Sequence, residues 1–187
     1  TQRRTARDIA FKPDRLGGQL DAYTTHEMTG FTTKVADVAL PEAIDLLADL
    51  VAHPRFEQED LDREQKVILE EMKMVEDTPD ELLGELFNAA YFPNQPLGRP
   101  IEGTKETVPT FDHKTTLAFH TREVSYTNLV VAAAGNVEHA RLVELVGRAF
   151  DGCESGASVR PVAVDASRPR PAAPILIEQK SELEQAH

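Results

Sequence analysis

Between Gln58 and Glu76 apolar residues recur at the spacing of an α-helix, inside the stretch that holds most of the chain's excess acid. With Leu61 set to zero and about 100° per residue, Ile68, Val75 and Met72 fall within about 40° of it and define a buried stripe. Glu64 and Glu71 fall near ~300° and ~280°, at the edge of that stripe, whereas Glu70, near ~180°, points to solvent. A carboxylate taken out of water costs several kcal/mol unless it is paired or bound to metal. Two readings therefore stand at this point. Either the pair has a partner on the core side, or both side chains lean out into water from the edge of the stripe. Their seven-residue separation is about 10 Å along the axis, too far for both to bind one ion at about 2 Å. One could be a ligand and the other its support.

The chain has 187 residues and a formal charge of −12, with eleven acids between Glu57 and Glu81 against Arg63, Lys66 and Lys73. That balance argues against a nucleic-acid or anionic-membrane partner. The length suits one domain with its own core and no staples. Cys153, the single cysteine, reads as a loop thiol and leaves the redox compartment open. No apolar run approaches the roughly 20 residues of a membrane helix. A soluble chain is expected, periplasmic or cytoplasmic if bacterial, with the compartment itself unassigned.

Ahead of the acidic helix, Gly17–Gly18 precedes an alternating run with Leu20, Ala22 and Thr24 on one face, a half-buried strand. Phe31, Thr33 and Val35 alternate in its hairpin mate. Pro41 opens a helix carrying Ile44, Leu47, Ala48 and Val51 at helical spacing, and Pro54 stops it. Thr78, Pro79 and Glu81 make a capping box for a helix from about Pro79 to Ala90. A loop follows over 93–103, then one or two short helices over 105–121. The run 129–134 reads as a strand buried on both faces, and Asn136 as the cap of a helix lined by Leu142, Val143, Val146 and Phe150. Residues 151–174 read as a linker or long loop before a final strand from Pro174. The order predicts an α+β fold with a mostly antiparallel sheet packed against helices. The first and last residues suggest a single partial domain, 1–187, truncated at both ends.

The six histidines, at 26, 53, 113, 120, 139 and 187, include no pair three to five apart, so the chain offers no two-histidine metal clamp. Each reads as a surface or loop histidine. There is no nucleophile elbow, no phosphate-binding loop and no cysteine–histidine pairing.

Five segments in order resemble the pitrilysin, insulinase and mitochondrial processing peptidase family. They are Leu-Gly-Gly-Gln-Leu-Asp-Ala-Tyr-Thr-Thr (16–25), Pro-Arg-Phe (54–56), the run 63–80, Pro-Leu-Gly-Arg-Pro-Ile-Glu-Gly-Thr (96–104) and Ala-Ala-Gly-Asn-Val (133–137). The resemblance implies the N-terminal part of a zinc metallopeptidase with a metallohydrolase-like sandwich fold. It implies a His-x-x-Glu-His motif upstream of Thr1, with Glu71 as the third zinc ligand and Glu64 as its supporting carboxylate. In such enzymes zinc and the motif glutamate activate a water for attack on a peptide bond.

The family also holds substrate as an added strand on its first hairpin, which maps onto Asp21, Ala22, Tyr23 and Thr24. Asp21 stands where the family has asparagine and cannot donate the amide hydrogen bond. Glu102 stands where an aliphatic residue is usual, and the run 123–128 lacks the family's proline and has its tyrosine displaced. The resemblance thus implies a zinc endopeptidase for unfolded or short polypeptides, closed into a chamber by a second, homologous domain or subunit. The 187 residues alone are expected to be inactive and to bind zinc no better than an ordinary acidic surface. The rival expectation is a non-catalytic substrate-binding or structural partner subunit of a two-subunit peptidase.

Overall fold

The computed structural model describes residues 1–152. The linker and final strand expected over 151–178, with Cys153 and His187, lie almost wholly outside the described residues. Those described run as helix α1 (Ala6–Arg15), strands β1 (Gln19–Thr24) and β2 (Thr29–Lys34), then helices α2 (Leu40–Ala52), α3 (Gln58–Asp77), α4 (Pro79–Tyr91), α5 (His113–Glu123) and α6 (His139–Ala149). Short 3-10 turns link several of them. The chain divides into two compact units. Among the described residues the first holds Thr1–Tyr23, Thr29–Glu57 and 113–152; the second holds Thr24–Met28 and Gln58–Asp112.

In the first unit α1 begins at a reciprocal cap: Thr5 accepts from the Asp8 amide and Asp8 accepts from the Thr5 amide at 3.0 Å. This helix has no counterpart in the periodicity reading, because Pro13 and the charged residues blur its stripe, but the Thr5–Asp8 spacing is its legible signal. Gly17, at φ +64°, turns the chain out of α1. Gly18 then passes against β2, where a Cβ would sit 2.2 Å from the Lys34 carbonyl oxygen. β1 and β2 pair as a hairpin, with the Thr25 amide donating to the Met28 carbonyl at 2.8 Å across the turn and the Thr33 hydroxyl to the Gln19 carbonyl at 2.6 Å.

α2 carries the core of this unit. Ala43, Ile44, Leu46 and Ala48 are buried on it and α6 packs beside it, with Phe150 buried at the end of α6. Burying a side chain such as Leu46 contributes about 1.5–3 kcal/mol. Two histidines of α5 tie down the chain that leaves α2. A ring nitrogen of His120 lies 2.7 Å from the Val51 carbonyl, and His113 Nδ1 lies 2.6 Å from the carbonyl of Phe56, itself at φ +49°. The expectation of six surface or loop histidines therefore fails for His120, which is part-buried and bonded, and His113 is bonded to backbone as well.

In the second unit α3 packs on α4, the 3-10 turn Pro96–Gly98 packs on α4, and Val108 is buried in a turn against α3. The stripe expected on α3 is its least exposed face: Leu61, Ile68, Met72 and Val75 are all partly covered.

Four local expectations need correction. The mostly antiparallel sheet is a two-stranded one among the described residues, and β1 is largely exposed rather than half-buried. The run 129–134 forms no ladder there, and Val130 is 93 % exposed, since no described strand offers it hydrogen-bond partners. Thr78 is the N-cap residue of α4 with Pro79 at its first position, as expected, but the capping box does not form: the Thr78 hydroxyl donates back to the Met74 carbonyl at 2.8 Å, at the end of α3. Asn136 does not cap α6, whose N-cap is Glu138; its amide instead donates to Asp37 at 2.5 Å.

Candidate metal centre and substrate edge

α3 presents every one of its carboxylates to water, and most have partners close by. Arg63 donates to Asp60 at 2.5 Å, Gln58 to Asp62 at 2.7 Å, Lys73 to Glu70 at 2.6 Å and Lys105 to Glu76 at 2.6 Å. Glu64 and Glu71 differ. Both are exposed and, like Glu59 in the first turn, have no side-chain hydrogen bond or ion pair among the described residues; unlike Glu59 they flank the apolar stripe. Of the two readings open from periodicity, the side chains of this chain adopt the one that leans out into water.

Glu71 has an unusual neighbour. Partial burial, followed by the negative charges of Glu71, Glu85 and Glu81, pushes the Glu102 carboxyl above its ordinary value of 4.5. The acid that replaces an aliphatic residue in the 96–104 motif thus stands within electrostatic reach of the glutamate expected to bind metal. Sequence reasoning marked Glu102 only as a departure; its place beside Glu71, Glu81 and Glu85 follows from the packing of α3 and α4.

These groups do not by themselves fit a zinc ion. Zinc sites draw on four donors in tetrahedral geometry, three of them protein ligands in catalytic centres. Among the described residues no group of three or more His, Cys, Asp or Glu side chains could hold a metal. Glu71 offers one carboxylate, and Glu64 lies two helical turns away.

The other expected site residues, Asp21, Ala22, Tyr23 and Thr24, all lie on β1 with exposed side chains. Tyr23 lies across Gly30 of β2, where a Cβ would come 2.3 Å from its ring. Because β1 pairs only with β2 among the described residues, its other edge has no strand partner there. An open edge can accept an extended peptide through main-chain hydrogen bonds. Asp21, Ala22 and Tyr23 belong to the first unit, Thr24, Glu64 and Glu71 to the second. Among the described residues no helix is long and apolar enough to cross a membrane.

Comparison with known proteins supplies the context that this geometry lacks. Residues 1–105 match the family model described as insulinase, peptidase family M16. An uncharacterized zinc protease of Mycobacterium leprae is 42% identical over 150 residues, covering 80% of this chain and 34% of its own length. One from Streptomyces coelicolor is 39% identical over 163 residues, covering 87% of this chain and 35% of its own length. The chain therefore spans about a third of the length of the curated relatives it matches. Among solved structures, a protease from Helicobacter pylori superposes with a TM-score of 0.78 at 19% identity, over 91% of this chain and 41% of that one. The M16 inactive domain from Pseudomonas fluorescens superposes with a TM-score of 0.72 at 18% identity, over 82% of this chain and 38% of that one.

Proposed function

The chain belongs to the insulinase (M16) peptidase family, and from that premise we propose that it forms part of a zinc-dependent metalloendopeptidase in which Glu71 is the carboxylate ligand and Glu64 supports it. The observation that carries this reading is selective pairing on α3. Asp60, Asp62, Glu70 and Glu76 are engaged by neighbouring side chains, while Glu59, Glu64 and Glu71 are not, and of these three Glu64 and Glu71 lie at the edge of the apolar stripe whereas Glu59 faces away from it. A carboxylate already bound to lysine or arginine competes poorly as a metal ligand; these two are free to serve.

The remaining ligands would come from residues outside this chain, as the greater length of its relatives allows. On this reading the substrate is a polypeptide laid along the open edge of β1, at Asp21, Ala22, Tyr23 and Thr24. A second homologous domain or subunit would close the chamber around it.

The test uses the whole protein and its Glu71→Gln variant with an unfolded polypeptide as substrate. Cleavage that EDTA abolishes, and that the variant lacks, is expected. Cleavage that survives both treatments would overturn the assignment of Glu71. A whole protein that binds no zinc and cleaves nothing would favour the rival reading, a non-catalytic partner subunit. The 187 residues alone are expected to show no stoichiometric zinc binding by calorimetry.

A further inference from the structure

The turn of the β1–β2 hairpin sets its register. With the Thr25 amide donating to the Met28 carbonyl, Tyr23 stands opposite Gly30 and Asp21 opposite Thr32. Side chains alternate along a strand, so Tyr23 and Asp21 share one face. Backbone groups alternate as well: the amides of Thr25, Tyr23 and Asp21 point at β2, and that of Ala22 points out of the open edge. On the shared face the Tyr23 ring leans over β2 rather than over that edge. A Cβ on Gly30 would lie 2.3 Å from Tyr23 Cζ, 2.5 Å from Cε1 and 2.6 Å from Oη, far inside the about 3.5–4.0 Å of ordinary carbon contact. The phenol thus fills the place where any other residue would carry its side chain. Asp21 is exposed and has no hydrogen bond or ion pair among the described residues.

Resting on the reading of β1 as the edge that receives peptide, we propose that Gly30 is a positioning residue for substrate choice. It seats the Tyr23 ring over β2 and so keeps the face above the open edge clear, where Asp21 selects a Lys or Arg side chain of the incoming strand. A strand added to β1 sets its own side chains about 5 Å from those of β1 on the same face. A long cationic side chain there reaches the Asp21 carboxylate, and opposite charges in that position attract where like charges repel. The chemistry of position 21 points the same way. Asparagine, expected there from the resemblance, can donate and accept, whereas a carboxylate only accepts, and its strongest partners are cationic donors. Any side chain at position 30 would drive Tyr23 into another staggered rotamer, off β2.

The experiment measures binding to the whole protein in EDTA and about 0.15 M salt, by fluorescence anisotropy of labelled peptides that alternate Thr with Lys, Met or Glu. The Lys peptide is expected to bind tightest and the Glu peptide weakest. Asp21→Asn is expected to weaken the Lys peptide about fivefold, the upper end for one cross-strand charge pair, and to leave the Met peptide unchanged. Gly30→Ala is expected to weaken both by about fivefold or more, and to have no effect once Tyr23→Ala has removed the ring.

Lys and Met peptides that respond alike to Asp21→Asn would refute the charge selection. A Gly30→Ala effect that is absent, or equal with and without Tyr23, would refute the positioning role. Should Gly30→Ala not fold, the Tyr23→Ala/Gly30→Ala double variant decides: regained folding with tight Lys-peptide binding supports the seated ring, and a second failure to fold refutes it. Ala22→Pro, which removes an edge-facing amide, separates this proposal from the reading beneath it. If that variant binds like the parent, or the parent binds no peptide, the β1 edge is not the peptide site and both fall. If it abolishes binding while the Asp21 and Gly30 variants behave like the parent, the edge stands and only the present proposal falls.

Discussion

α2 takes one carboxylate, Asp49, wholly out of water and surrounds it with the Arg4 guanidinium, the Thr1 hydroxyl and the His53 imidazole, whereas α3 keeps all its carboxylates in water and leaves Glu64 and Glu71 without a partner. Both helices are amphipathic and both carry acid. The difference lies in what each carboxylate faces. On α2 the charge lies among buried neighbours, where only a matched cation makes it tolerable. On α3 it lies at the border of the stripe, where hydration suffices and the oxygens stay available. A buried carboxylate here belongs to the fold, and an unpaired exposed one at a stripe edge is a candidate for chemistry.

Substitutions can break this comparison or sharpen it. The largest expected effect is that of Glu71→Gln in the whole protein. Metal-dependent cleavage is expected to fall by more than the about 10–100-fold typical of changes one shell out from a metal, with stability in urea unchanged within about 0.5 kcal/mol. A variant that loses stability instead would place Glu71 with Asp49, as part of the fold.

Asp49→Ala tests the other side. Breaking a buried pair costs about 3–5 kcal/mol, and the lower end is expected because Arg4 keeps Asp45. A loss well under about 1 kcal/mol in urea denaturation, the scale of an exposed pair, would mean that the pairing on α2 is as dispensable as those on α3.

Glu64→Gln is expected to weaken zinc binding by the whole protein about 10–100-fold at unchanged stability; unchanged affinity, measured by competition with a chelator, would reduce it to an ordinary surface acid. Glu102→Gln gives the smallest effect. With its folded carboxyl raised above 4.5, the charged form is disfavoured in the folded state, so stability rises as pH falls from above that folded value toward 4.5. The variant is expected to be more stable at neutral pH by on the order of 0.5 kcal/mol and to match the parent below pH 4.5. Equal stability at both pH values would remove Glu102 from the neighbourhood that distinguishes Glu71.

Much of the helical content was legible because it rests on local spacing. α2 and α3 follow from apolar periodicity, α4 from the start signal at Thr78–Pro79, and the hairpin from alternation after Gly17–Gly18. The family was legible too, through five ordered motifs. What was misread depends on partners distant in sequence. Asn136 has the chemistry of a cap, yet Asp37, ninety-nine residues away, takes its amide. The run 129–134 has the composition of a central strand, but a strand exists only where another supplies its hydrogen bonds. His120 has no metal-binding spacing, and only folding shows that it clasps the Val51 carbonyl.

By itself, then, the sequence determined where most of the helices after β2 lie, though not α1, and that Glu64 and Glu71 share the border of one stripe, since both are consequences of a 3.6-residue period acting over a few turns. Tertiary structure alone decided that these two stay unpaired while their neighbours do not, that Glu102 comes within reach of Glu71, and that Asp49 is buried against Arg4. Those outcomes depend on charges brought together across tens of residues, and the strength of each depends on how much water remains around it.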